Sequence, residues 1–368
     1  MGSVVGFEVD AVPETPALAV STATLDRNIA RMADAAGAGG FALRPHAKTH
    51  KCVQVAERQL AAGAVGLTVA TIGEAEAFVE AGVTDVFIAY PLWLDGGKRR
   101  RVAKLAGSAR VLVGLDSVQN ARNVVGTGAS VVIEVDSGYR RTGVPAGDAG
   151  ALASAAADLG LEVAGVFTFP GHAMARLEHS TPDRVREHAA RDQDTALAAA
   201  ASSLRTAGIE PRLISGGSTP TAGLWRAEGS LNELRPGVYV FNDALQLALG
   251  SCELADVALW AVGTVVSVPA EDRFVLDTGS KVLGADANAW AGGFGLLPAF
   301  PGASVVQLSE HHAVVQLPQG ATPPAHGDRV ALIPNHVCSA VNLADDLFVL
   351  SEGRHVDTWR VAARGTNS

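Results

Sequence analysis

The segment VGLTVATIGEAEAFVEAGVTDVFIAY, residues 65–90, decides the fold. Two β-rich runs, VGLTVAT (65–71) and DVFIAY (85–90), flank TIGEAEAFVEAG, an Ala-rich segment of helix length. Strand, helix, strand predicts a parallel pair joined by a crossover helix. The pattern extends in both directions. β-rich runs at FALRPHAK (41–48), RVLVGL (110–115), SVVIEVD (130–136), EVAGVFT (162–168), RLISGG (212–217) and LRPGVYV (234–240) bring the strands to eight. Spacers such as AGALASAAADLG separate most of them. A further helix is predicted from Thr22, because STATLDRNIARMADAA sets Leu25, Ile29 and Met32 on one face. Eight such units over about 230 residues predict an α/β protein with a (β/α)8 TIM barrel. The competing arrangement is an open, doubly wound sheet.

After Gly250 the rhythm changes. ALWAVGTVVSVP, RFVLDTGS, HHAVVQLP, RVALIPNHVC and LFVLSEG follow one another without helix-length spacers. Two domains are therefore expected: a barrel over 16–250, and an all-β domain over 251–368 joined by residues 1–15. Hydrophobic residues at 48% and charged residues at 18% allow a sizeable core. A net charge of −9 without long runs argues against nucleic-acid and anionic-membrane partners. The opening MGSVVGFEVD lacks the basic and apolar regions of a signal peptide. No apolar run reaches the ~18 residues of a transmembrane helix. Three cysteines, odd in number and far apart, suit a reducing cytoplasm.

Functional residues of a barrel gather where strands end and loops begin, on the C-terminal face. Collected there are His46 and Lys48; Asp136 and Arg141 in VDSGYRRTGV; Thr168 and His172 in FTFPGHAM; Ser215, Gly216, Gly217 and Ser218 in SGGSTPT; and Gly237, Val238, Tyr239, Asn242 and Asp243 in RPGVYVFND. SGGSTPT follows the seventh strand, where glycines let backbone N–H groups approach an anion and hydroxyls add donors. Barrels often hold a phosphate there. Lys48 is surrounded in sequence by Arg44, His46, His50 and Lys51 on an otherwise apolar strand. Neighbouring positive charge and burial both lower a lysine pKa, as Schiff-base chemistry requires. Lysine plus phosphate site points to pyridoxal phosphate, or to a lysine aldolase acting on phosphorylated sugars. In PNHVCSA, His336 and Cys338 at i, i+2 are expected to share one face of a strand. Imidazole plus thiolate suits zinc, although two ligands are an incomplete set.

RPHAKTHK, VDSGYRRTGV, FPGH, SGGSTPT, RPGVYVFND and PNHVC, in this order, resemble the motifs of the D-serine dehydratase and D-threonine aldolase family. These are fold-type III pyridoxal-phosphate enzymes related to alanine racemase, and the resemblance runs from about Pro16 to about Phe348. It implies that Lys48 forms the Schiff base, with His46 beside it, and that Arg141 contacts the cofactor's phenolic oxygen. It implies phosphate binding by Gly216, Gly217 and Ser218 and by the turn Gly237–Val238–Tyr239, with Thr168 and Ser215 close by. It implies a divalent metal, zinc first and manganese or magnesium as alternatives, on His336 and Cys338. It also implies a head-to-tail homodimer acting on a small D-amino acid.

The expected activity is a metal-assisted lyase on β-hydroxy-D-amino acids, with Lys48 as base and His172 as acid or base. The H-x-C form of the metal motif resembles the dehydratase branch, giving a 2-oxo acid and ammonia. The aldolase alternative gives glycine and an aldehyde. Met174 stands in GHAM, where family members often carry a tyrosine. An amino-acid racemase would need a second base, usually a tyrosine from the β domain, and no tyrosine follows Gly250. A non-enzymatic cofactor-binding relative would be a barrel alone.

Overall fold

The computed structural model describes residues 3–4, 6–176, 180–225, 229–287, 290 and 292–368. It divides into two compact units, one of residues 31–48, 56–237 and 366–368, the other of residues 1–30, 49–55 and 238–365. These divisions fall elsewhere than the boundary at residue 250 read from the sequence.

In the first unit the eight strands are Ala42–Leu43, Leu67–Val69, Asp85–Pro91, Arg110–Leu115, Ser130–Glu134, Val163–Phe167, Leu213–Gly216 and Glu233–Leu234. Each is parallel to its neighbours in sequence from the second strand to the eighth. The eighth pairs with the first, Leu234 opposite Leu43, and a parallel bridge from His46 to Thr68 joins the first to the second. The sheet therefore closes, which a doubly wound sheet does not. The first and eighth strands are shorter than expected because Pro45 and Pro236 have no N–H for a ladder bond. Their carbonyls still serve closure: Thr68 N donates to Pro45 O at 2.8 Å, and His46 N to Pro236 O at 3.0 Å. Phe87, Leu112, Val132, Ala164 and Phe167 form a buried cluster from the central strands. Gly165 is obligatory there, since a Cβ would lie 1.8 Å from the Leu213 carbonyl oxygen. The helix Pro182–Thr206 starts from Thr181, whose hydroxyl accepts from Arg184 N, with proline at its first position. It buries Val185, Ala189, Gln193, Leu197, Ala200 and Leu204 at helical spacing.

The second unit is built on the long strand Leu259–Ala270, which pairs antiparallel with Ala17–Ser21, Arg273–Leu276 and Arg329–Leu332. Ala17–Ser21 also runs parallel to Asp346–Ser351. The N-terminal strand is thus part of this sheet, and the chain leaves it through the helix Thr22–Ala38. Its core joins Phe7, stacked on Trp260 at 5.3 Å, with Val262, Ile333 and Leu350. The segment RVALIPNHVC is not one strand. The strand ends at Leu332, and His336 is the N-terminal cap of a helix, Val337–Leu343. Pro334, without an N–H, is where the ladder cannot continue. No helix among the described residues is long and apolar enough to cross a membrane.

Candidate active site

Three strand-end segments of the barrel meet at one aromatic ring. Lys48, in the turn Ala47–Thr49 after the first strand, places Nζ 5.6 Å from the centroid of Phe169. Arg141, beyond the fifth strand, places its guanidinium 5.3 Å from the same ring and 5.1 Å from Tyr139. Tyr139 and Phe169 meet edge to face at 5.6 Å. Two cations around one aromatic pair favour an electron-rich, anionic guest between them. His46 supports the turn, its Nδ1 accepting from Lys48 N at 3.4 Å. Neither Phe169 nor Tyr139 was singled out from the sequence; the former lies one residue beyond Thr168.

Two of the basic side chains next to Lys48 in sequence find their printed partners away from it. Arg44 donates Nε to Glu233 at 2.8 Å and Nη1 to Asp85 at 2.6 Å, both carboxylates at the first residue of their strands. Its charge is neutralised at the opposite end of the strands from Lys48. Lys51 donates Nζ to Asn342 at 2.7 Å, and His50 Nδ1 contacts the backbone of Cys52.

Arg235, absent from the sequence expectation, organises the floor. It is buried between the rings of Phe167, at 5.1 Å, and Phe87, at 5.5 Å. Its Nε donates to Ser215 Oγ at 2.9 Å and its Nη2 to Thr168 O at 2.5 Å. Thr168 and Ser215, expected as cofactor contacts, spend their hydroxyls within the protein. Thr168 Oγ1 donates to Val135 O at 2.5 Å, and Ser215 Oγ to Glu233 Oε1 at 2.8 Å. Burial pulls the Arg235 pKa down to about 10 against the charges of Glu233 and Glu134. Burial pushes Glu134 up to about 7, opposed by the hydrogen bond from Thr142 and the charges of Arg141 and Arg235.

The turn after the seventh strand has the expected backbone. Gly217 takes φ +82°, where a side chain is strained, and its Cβ would press on Leu234. Its amide donates to Gln193 Oε1 at 2.6 Å, and Ser218 N to Thr221 Oγ1 at 3.1 Å. Gly216 abuts the same Gln193, while Gly237 closes the barrel unit and Val238 and Tyr239 open the next as a 3-10 turn. Beside Gly217 the buried indole Nε1 of Trp225 has no hydrogen-bond partner. An orphaned donor next to a left-handed glycine turn fits an anion such as phosphate. Lysine, arginine, aromatic floor and this turn together fit pyridoxal phosphate.

His172 follows the sixth strand and is half-buried. Its Nε2 lies 3.2 Å from Asp192 Oδ2, and exposed His188 reaches the same oxygen at 3.3 Å. Donation of Nε2–H to Asp192 leaves Nδ1, which is buried without a partner, as the basic atom. Burial lowers the His172 pKa and Asp192 raises it, with His188 lowering and Asp136 raising it further.

In the second unit, His336 and Cys338 come together as the cap and second residue of a helix rather than as strand neighbours. Cys338 Sγ lies 3.3 Å from Thr49 Oγ1, and His336 Nδ1 lies 3.5 Å from Asp243 Oδ2. The negative charge of Cys338, outweighing burial and reinforced by Asp243, pushes the His336 pKa up to about 11. Imidazole with thiolate suits zinc. No group of three His, Cys, Asp or Glu among the described residues has metal-binding geometry. The fit is that of a two-ligand half-site.

The alanine racemase N-terminal domain model matches residues 20–244, and the putative serine dehydratase domain model matches residues 258–350. By class the chain is a fold-type III pyridoxal-phosphate enzyme. It is similar to D-threonine aldolase of an Arthrobacter species, 34% identical over 96% of this chain and 93% of that one. It is also similar to D-threo-3-hydroxyaspartate dehydratase of a Delftia species, 32% identical over 94% of this chain and 96% of that one. A D-threo-3-hydroxyaspartate dehydratase mutant in its metal-free form matches with a TM-score of 0.87 at 30% identity, covering 95% of this chain and 98% of the other. The chain belongs to the D-serine dehydratase and D-threonine aldolase family, whose members are pyridoxal-phosphate lyases.

Proposed function

We propose that this protein is a metal-assisted pyridoxal-phosphate lyase for β-hydroxy-D-amino acids, eliminating water from them to an imine whose hydrolysis takes up a water and yields a 2-oxo acid and ammonia. The observation that carries the reading is the convergence of Lys48 and Arg141 on Phe169, at 5.6 and 5.3 Å. Bound pyridoxal phosphate supplies the electron sink for the bond broken at Cα. Lys48 Nζ would hold the cofactor, and its free amine would accept the Cα proton. Arg141 orients the cofactor ring, with Phe169 packed beside both cations. His172 exchanges a proton at Nδ1. His336 and Cys338 would hold the divalent metal, zinc in our reading, which would supply Lewis acidity toward the β-hydroxyl. That a D-threo-3-hydroxyaspartate dehydratase mutant has been solved in a metal-free form supports a metal in this family. A homodimer and a cytoplasmic location accompany this reading.

Cys338 in the H-x-C motif favours dehydration. Similarity to the Arthrobacter D-threonine aldolase favours a second reading, in which the β-hydroxyl rather than Cα loses its proton and the Cα–Cβ bond breaks. Product analysis with the cofactor- and zinc-loaded protein on D-threonine separates them. 2-Oxobutanoate with ammonia establishes the dehydratase; glycine with acetaldehyde establishes the aldolase. D-threo-3-hydroxyaspartate gives the parallel test: oxaloacetate with ammonia, or glycine with glyoxylate.

A further inference from the structure

We infer that Asp243 is a positioning residue for the metal half-site, holding His336 through Nδ1 so that Nε2 is the ligating atom. The inference rests on the reading of His336 and Cys338 as metal ligands. Asp243 is completely buried, and a buried carboxylate needs a partner. Its Oδ1 accepts from Gln246 N at 3.0 Å, capping the helix Ala244–Ala248. Its Oδ2 accepts from Val337 N at 3.1 Å, the first amide of the helix that His336 caps. That same oxygen lies 3.5 Å from His336 Nδ1. Ala244 N donates to Pro334 O at 3.0 Å, so the two segments are tied by backbone as well. Among the described residues His336 is the ionisable group paired with this carboxylate.

The consequence is directional. An imidazole that donates Nδ1–H to a fixed carboxylate keeps its lone pair on Nε2, becomes more basic, and loses rotational freedom. With only two protein ligands, orientation of each matters more than in a closed four-ligand cage. The two amide bonds explain why the carboxylate cannot turn away: each oxygen is already anchored to a helix start. Asp243 thus links the RPGVYVFND and PNHVC motifs, which the sequence alone presents as separate.

The test is zinc binding to the cofactor-loaded protein, by equilibrium dialysis against a competing chelator, in wild type, D243N, H336A and C338A. Asparagine keeps the cap on Gln246 N through its one oxygen and removes the charge that faces Val337 N and His336. The expected result is a ~10–100-fold weaker zinc affinity in D243N, the usual effect of losing an outer-shell partner. H336A and C338A should lose the site. Wild-type affinity in D243N overturns the role of Asp243; wild-type affinity in H336A and C338A overturns the half-site reading itself. A second measurement needs no variant. Nitrogen-15 NMR of the zinc-loaded wild type should show His336 protonated at Nδ1 and metal-bound at Nε2, and the opposite tautomer refutes the inference.

Discussion

Replacing Glu134 by glutamine should change how the stability of the protein depends on pH. Glu134 ends the fifth barrel strand, is 3% exposed, and accepts from Thr142 Oγ1 at 2.9 Å on one oxygen. Its other oxygen has no partner. Burial raises its pKa from 4.5 to about 7, because desolvation outweighs the Thr142 hydrogen bond and the charges of Arg141 and Arg235. Between these values the folded chain keeps a proton that the unfolded chain has released. The stability from this proton is fully present below pH 4.5 and is lost as pH rises through about 7. From 4.5 to about 7 is 2.5 units, and at ~1.36 kcal/mol per unit that is at most about 3 kcal/mol. Glutamine has the shape of the protonated acid and does not titrate. Urea unfolding of the cofactor-free wild type and E134Q, from pH 4.5 to 8.5, checks this. E134Q should gain about 2–3 kcal/mol relative to wild type across that range. A difference that stays constant with pH would refute the argument that burial governs Glu134.

Three further outcomes follow from particular contacts. R44M leaves Glu233 and Asp85 without their shared cation, and should destabilise the barrel by about 3–5 kcal/mol in urea unfolding. H172Q should lower kcat by about 10²–10⁴ if Nδ1 carries a catalytic proton. D192N should lower kcat less and move the acid limb of the kcat/KM profile to lower pH, because Asp192 raises the His172 pKa. G217A forces a side chain into φ +82° and should cost about 1–2 kcal/mol, with weaker cofactor binding followed by visible absorbance.

Most of the barrel was legible because each strand carries its own signal. β-branched runs of five or six residues, separated by helix-length alanine-rich spacers, need no tertiary knowledge to be counted. What was illegible lay where prolines interrupt the pattern. Pro45 and Pro236 leave two strands as pairs of residues, and closure then depends on a single bridge between His46 and Thr68. Pro334 likewise ends a strand before His336, so an alternation argument applied to His336 and Cys338 described the wrong element. The two side chains still meet, because a helix cap and the second residue of its first turn also project close together. Ala17–Ser21 resembles any short apolar strand, and only its pairing with Leu259–Ala270 assigns it to the second sheet.

Lys48 and Arg141, singled out from the sequence, approach one ring in the structure, but the charge pairing around them was not legible. RPHAKTHK has five basic side chains in eight residues, and its charge density along the chain points to a depressed lysine pKa. Along a short strand and a 3-10 turn, however, successive side chains leave in different directions. Arg44 reaches two carboxylates at strand starts, Lys51 reaches Asn342, and Lys48 reaches Phe169. Linear proximity therefore says little about the field at Lys48 Nζ. Arg235 shows the converse. It stands in LRPGVYV, read only as a strand, yet Glu233 two residues earlier and Glu134 on another strand are charged positions in otherwise apolar barrel strands. Buried charge must be compensated, so charged residues in apolar strands imply one another. Arg44 with Glu233, and Arg235 with Glu233 and Glu134, are the result of that requirement.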